Sequence, residues 1–279
     1  MARSLIAICL ALLTSCSGTI DATFHQQLVV QGFLYAGEPL DSIIVRKTLS
    51  ITEQNPQDRV SGAKITIMTG DSIFALAEDS VAGRYIYNNA QQPFVAQPGK
   101  SYHLTVASNG DTLTAQTTVP KAIHLDSAKL KSRALSTTGI DTVDFPLSDS
   151  FDSLSKPGIS LWWSASPGCA GYGLEVICVA PEDSNFISDP NILLSLPDSD
   201  AFGRYRFFIL STNEQVVWQQ FKYFGLNSIR ALALDKNYQD YILGENLSGS
   251  QFNNATLDVQ GGLGVFGSAA RASKRVFIK

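Results

Sequence analysis

Strict alternation of apolar and polar residues recurs along the first part of the chain. Ala63-Lys64-Ile65-Thr66-Ile67-Met68 is its clearest run, and a period of two marks a half-buried strand. The run meets residues 72–76 across Thr69-Gly70-Asp71, which predicts a short hairpin. Residues 28–34 and 42–47 are rich in β-branched side chains and flank Gly37-Glu38-Pro39, and residues 83–87 follow as a further strand. Residues 102–106 and 112–115 flank Ser108-Asn109-Gly110-Asp111. Asn-Gly favours a type I′ turn, so this stretch predicts a second hairpin. Seven strands at this spacing predict an antiparallel sandwich over 24–120. Val119-Pro120 closes it, because proline cannot donate into a central ladder.

Beyond residue 120 the pattern is less regular. Strands are expected at 123–130, 159–164, 172–179, 205–210, 215–223, 229–234 and 275–278. Residues 132–157 are rich in Ser, Thr and Asp without periodicity, which predicts a mobile loop. Residues 236–243 are the one convincing helix. Asp235 stands at its N-cap, and Tyr238, Tyr241 and Ile242 share a face. The expected fold class is all-β, with two linked β-sandwiches at 24–120 and 121–279, the second irregular and carrying one short helix. Ser166-Pro167-Gly168 followed by "GYGLEVI" is similar to a pair of neighbouring strands in a fibronectin-type sandwich. An immunoglobulin Cys-Trp-Cys framework is excluded, because Cys169 and Cys178 both follow the Trp162-Trp163 pair and lie too close together.

The amino terminus has a different pattern. Arg3 precedes an apolar run over 5–13 that ends in Leu13-Thr14-Ser15-Cys16. A charged start, a short apolar run and small residues before a cut make an export signal, and the run is far shorter than the ~20 residues of a membrane span. With Cys at its end the stretch resembles a bacterial lipoprotein signal. That resemblance implies a signal peptide over 1–15, acylation of Cys16 and a lipidated tether over 16–23. Several acyl chains, at roughly 0.8 kcal/mol per buried CH₂, hold a folded body on a membrane. Ser17, where retention at the inner membrane would call for Asp, implies the outer membrane. Asp21 is the single acid over 17–21, which leaves the periplasmic and extracellular faces both open.

Loss of the signal removes Arg3 and moves the formal charge from −4 to −5. A weakly acidic chain lacks the basic footprint of nucleic-acid binding. Cys169 and Cys178 then remain as the unmodified thiols. Nine residues of extended strand reach about 30 Å, whereas a disulfide needs Cα atoms within about 7 Å. A bridge therefore requires a reversal at Gly171-Tyr172-Gly173; the competing reading is one strand over 171–179 with Cys178 as a small buried apolar residue. His25, His103 and His124 show neither i, i+4 nor H-x-H spacing, so no metal site is expected. Asp141, Asp144, Asp149 and Asp152, and then Asp198 and Asp200, form acidic loops without the order of a calcium-binding helix pair, and are read as solvated. No G-x-S-x-G elbow occurs, and no catalytic residue or cofactor is expected.

Gly262-Leu263-Gly264-Val265-Phe266-Gly267 matches G-x-G-x-x-G formally. That fingerprint cradles pyrophosphate only between a strand and a helix, with a second strand beyond. The few residues after Gly267 offer no such unit, so the stretch is expected to be a glycine-rich loop or bulged strand that carries Val265 and Phe266 into a core. Tyr205, Arg206, Phe208 and Trp218 lie in two aromatic segments; core packing is the default reading, and a partner or ligand surface is the alternative they offer. Arg271, Lys274, Arg275 and Lys279 are expected to solvate the last strand.

"NNATLDVQGGLGVFGSA", "QLVVQGFL" and "VSGAKITI" followed by "AGRYIY" together resemble an uncharacterised family of Bacteroidota outer-membrane lipoproteins, commonly encoded beside TonB-dependent receptors. The resemblance covers most of the mature chain. It implies an accessory or substrate-capture subunit of a TonB-dependent transporter, with a TonB-dependent barrel as partner and no catalytic residues to assign. "SGAKITI" with "GRYIY" is also similar to carboxypeptidase-regulatory or transthyretin-like sandwiches. The alternative role is a surface adhesin or structural envelope lipoprotein that binds glycan or matrix; an exported hydrolase stands third.

Overall fold

A computed structural model describes residues 24–50, 58–90, 92–146, 157–186, 205–248 and 258–279. Among them the chain is nearly all β, as the alternation requires. The first sandwich is built from β1 (Leu28–Tyr35), β2 (Ile43–Lys47), β3 (Lys64–Thr69), β4 (Ser72–Glu78), β5 (Arg84–Ile86), β6 (Ser101–Ser108) and β7 (Asp111–Thr118). Asn109 and Gly110 both take positive φ, 51° and 91°, at the β6–β7 turn, as a type I′ turn demands. β4 turns a corner: residues 72–76 pair with β3, whereas Ala77 and Glu78 pair with β5. The two layers close on a shared core in which Leu34, Ile43 and Val45 meet Ile67, Leu104 and Leu113.

In the second half, β8 (Leu125–Leu130), β9 (Arg133–Leu135), β11 (Pro157–Trp163) and β14 (Asn213–Val217) form a four-stranded sheet. Its inner side chains Ile159, Leu161 and Trp163 pack on Leu174, Val176, Ile229 and Ala231 from the opposite layer. That layer contains β12 (Gly171–Phe186), β13 (Tyr205–Ile209) and β15 (Tyr223–Leu234). The strand expected over 215–223 is broken by a 3-10 turn at Trp218–Gln220. Trp218 and Phe221 are three residues apart and both buried, which a straight strand of period two cannot achieve.

The stretch expected to be a mobile loop contains β9 and β10 (Ile140–Val143); residues 147–156 lie outside the described residues. β10 pairs in parallel with the end of the last strand. These two strands are too short and polar to carry a period, and tertiary contacts hold them in place. Lys274 is fully buried, and its ammonium donates to the Gly139 carbonyl at 2.8 Å and to Asp141 Oδ2 at 2.5 Å.

The carboxy-terminal strand decides the architecture. After β16 (Val259–Gln260), β17 runs from Leu263 to Ile278, far longer than the expected 275–278. Its first half pairs in parallel with β1, from Val29↔Leu263 to Tyr35↔Ala269. Its second half pairs antiparallel with β15, from Leu234↔Ala269 to Gly225↔Ile278. One sheet path therefore runs through both sandwiches, and residues 259–269 complete the first one. The boundary expected at 120 is corrected accordingly: pairing across sequence, which no local pattern encodes, returns the end of the chain to its beginning.

The glycine-rich stretch is strand from Leu263 onward, and two of its glycines are needed for close approach. Gly264 sits at φ +112°, and a Cβ there would overlap the Val30 carbonyl oxygen and lie 2.7 Å from the Val30 nitrogen. At Gly267 a Cβ would lie 3.0 Å from the backbone nitrogen of Tyr238, in helix α1 (Lys236–Ser248). The helix lies on the outer face of the sheet, where Tyr238 and Ile242 pack on Leu232, Leu234 and Ala269.

Gly264→Ala should lower the urea midpoint by an amount equal to about 3 kcal/mol or more, from left-handed strain and the forced separation of β1 and β17. Gly244→Ala, in α1 where an added Cβ meets nothing within 4 Å, should instead raise stability by about 0.5–1 kcal/mol. Equal midpoints for Gly264→Ala and wild type would refute the close-packing account.

A polar cleft where the two sandwiches meet

β7 runs out beside the N-terminus of α1, and one carboxylate ties the neighbourhood together. Asp235 caps the helix: its Oδ1 accepts the backbone N–H of Tyr238 at 2.9 Å. The same oxygen accepts the Ser268 N–H of β17 at 2.9 Å, and Oδ2 accepts the Thr117 hydroxyl of β7 at 2.6 Å. Thr117 Oγ1 also lies 2.6 Å from Ser268 Oγ. Next to it, the Asn237 amide donates to the carbonyls of Gln116 at 2.7 Å and Phe266 at 3.0 Å. The first sandwich, the helix and β17 thus share one buried polar knot. Burial pushes the Asp235 carboxyl above its ordinary range, against the hydrogen bonds from Ser268, Thr117, Tyr238 and Asn237 that favour its charge.

A cleft of about 490 Å³ opens beside this knot. Gly99 and residues 116–121 form one wall, Pro167, Gly168 and Ala170 another, and 235–237 with Asp258 the rest. Lys121 and Lys236 balance Asp235 and Asp258 in formal charge. The walls offer amides, hydroxyls and backbone groups, a chemistry suited to holding a polar ligand of little net charge. The sequence marks Asp235 as a helix cap, but nothing local marks Thr117 or Ser268 as its partners.

The residues of the alternative partner or ligand surface are not brought together. The Arg206 guanidinium donates to Glu175 Oε1 at 3.1 Å, and Arg230 donates to Glu175 Oε2 at 3.0 Å. The side chains of Arg206 and Glu175 are only 8% and 4% exposed, so this is a buried ladder across β13, β12 and β15. Trp218 is buried against Phe145 and Phe221 in the second core. Phe208 packs into the cluster under the helix. Tyr205 stands opposite Val176 at the start of β13, and its side chain lies outside the described residues. β13 has a core on one face and the helix cluster near the other, so its apolar residues on both faces reflect double burial.

Cys169 and Cys178 are free thiols. β12 runs straight from Gly171 through Cys178, so no reversal brings them together and the disulfide is not formed. Burial pushes the Cys178 thiol up. Among the described residues no group of three or more His, Cys, Asp or Glu side chains could hold a metal ion. His124 contacts Asp126 at 3.1 Å on the surface. The ion pair with Lys274 holds the Asp141 carboxyl below its usual range, and Asp144 faces Lys279 at 3.3 Å. Cys16, Asp149, Asp152, Asp198 and Asp200 lie outside the described residues. The four terminal cations are not alike: Arg275 and Lys279 are exposed, whereas Lys274 is buried and Arg271 pairs with Glu38 while stacking 4.4 Å over the Tyr35 ring.

The raised Asp235 value fixes the sign of a pH effect. Between the unfolded value near 3.9 and the higher native one, the folded protein binds more protons than the unfolded chain. The contribution of Asp235 to stability therefore falls as pH rises through that window and is level above it. In Asp235→Asn an amide replaces Oδ2 and donates to Thr117, which passes its own proton to Ser268. The midpoint of that variant, relative to wild type, should move in its favour from about pH 4 towards neutrality. Asp235→Ala should lose about 2 kcal/mol or more at every pH, because the cap and its buried donors lose their acceptor. Urea titrations at several pH values measure both, and an Asn variant whose relative stability drops towards neutral pH contradicts the assignment.

A search of curated proteins finds no match to the chain. A family model matches residues 17–275, spanning both sandwiches and the strand that joins them. The chain belongs to that family, DUF4249, a domain of unknown function.

Proposed function

We infer that this protein is a lipid-anchored outer-membrane protein that acts without catalysis as an accessory or substrate-capture subunit of a TonB-dependent transporter. The cleft between the sandwiches is the observation that carries the capture reading. Its 490 Å³ falls within the ~300–1,000 Å³ range of small-ligand sites. Its walls come from both sandwiches, so a bound ligand would bridge them. The signal-like stretch ending at Cys16 supports the anchor. Eleven residues separate Cys16 from Leu28 at the start of β1, a reach of at most about 40 Å. Confinement within that distance of the membrane raises the effective concentration near a barrel partner without any strong contact. The choice of a TonB-dependent barrel follows the family resemblance of the sequence.

The test is purification of the native lipoprotein in mild detergent, tagged after Lys279, with and without cross-linking, followed by mass spectrometry. A TonB-dependent barrel should be recovered in stoichiometric amount, and Cys16→Ser should release the protein from membranes. Recovery of the protein alone after cross-linking would overturn the transporter reading in favour of a surface adhesin or structural lipoprotein.

A further inference from the structure

Among the described residues, the outer face of the four-stranded sheet carries one large aromatic side chain. Ile159, Leu161 and Trp163 of β11 point into the core, so the register turns Ser160 and Trp162 outwards. Trp162 stands opposite Ser127 of β8 and Asn213 of β14, and Ser160 stands opposite Lys129 and Gln215. Lys129, Asn213 and Gln215 are exposed, and Trp162 is half-buried. The Trp162 ring therefore lies in a flat field of amides and hydroxyls. Among the described residues a single cation attends it: Lys129 Nζ sits over the ring, 5.3 Å from its centroid. The six positions carry one positive charge and no acid.

We propose that Trp162 and Lys129 form a binding subsite for an acidic polysaccharide, in which a uronate ring stacks on the indole and its carboxylate pairs with the lysine. An aromatic face bordered by amide and hydroxyl groups matches a pyranose, which has an apolar C–H face and a polar rim. The charge settles the kind of pyranose. Any ring that stacks must lift Lys129 off the indole, and a neutral sugar forfeits that cation–π attraction without replacement. A uronate replaces it with an ion pair to the same ammonium. The subsite lies on a different face from the junction cleft and does not depend on a transporter partner.

Affinity electrophoresis of the whole mature protein, in native gels containing either alginate or dextran, tests the proposal. Alginate should retard the wild type and dextran should not. Trp162→Ala and Lys129→Gln should each weaken the alginate retardation at least tenfold, with circular dichroism unchanged. Lys129 is exposed, so its variant reports even if Trp162→Ala folds poorly. Equal retardation by dextran, no retardation by alginate, or alginate retardation that survives Lys129→Gln would each overturn it.

Discussion

The double register of β17 is the constraint on which the rest depends. One strand pairs in parallel with β1 and antiparallel with β15, and its alternating side chains reach all three cores formed by the described residues. Phe266 enters the first sandwich, Ala270, Val276 and Ile278 enter the second, and Ala269 lies under the helix. Removing it would open both sandwiches together. The glycines at 264 and 267 follow from this position, because a side chain at either would push β17 away from β1 or from α1. A formal nucleotide fingerprint is thus the imprint of close backbone packing.

Charge is placed with the same economy around that strand. Lys274 is wholly buried on β17, a position that is costly unless the ammonium is paired and hydrogen-bonded, and Gly139 and Asp141 meet that requirement. Glu175 sits between Arg206 and Arg230 on neighbouring strands, so each oxygen of the buried carboxylate has a guanidinium partner. Burial pushes the Asp235 carboxyl up against the neutral donors that favour its charge, whereas the hydrogen bond and charge of Lys274 hold the Asp141 carboxyl down. The junction between the sandwiches is therefore a hydrogen-bonded knot next to an open polar cleft, an arrangement in which a ligand would touch both bodies.

Much of the local structure was legible beforehand. The hairpins at 69–71 and 109–110, the alternation in β3 and the capped helix after Asp235 were readable because turn chemistry, period and capping are local properties. The aromatic segments pack into cores, the default reading; the alternative of a surface stayed open because aromatic content alone does not say which layer covers a strand. Trp218 faces a core, and Arg206 is spent on Glu175. The reverse holds for Trp162, whose outward direction depends on the register of β11 against β8 and β14.

The sequence by itself determined an all-β chain, its turns, the capped helix after Asp235 and an amino terminus resembling a lipoprotein signal, since each rests on side chains a few residues apart. Tertiary structure decided that two sandwiches share one sheet, that the glycine-rich stretch is a strand, that a terminal lysine is buried and that Asp235 joins β7 to β17. Those outcomes depend on pairing between residues separated by more than a hundred positions, as in Thr117 with Asp235 and Val30 with Gly264. Loop closure over such distances is selected by the summed burial of whole faces rather than by any local pattern.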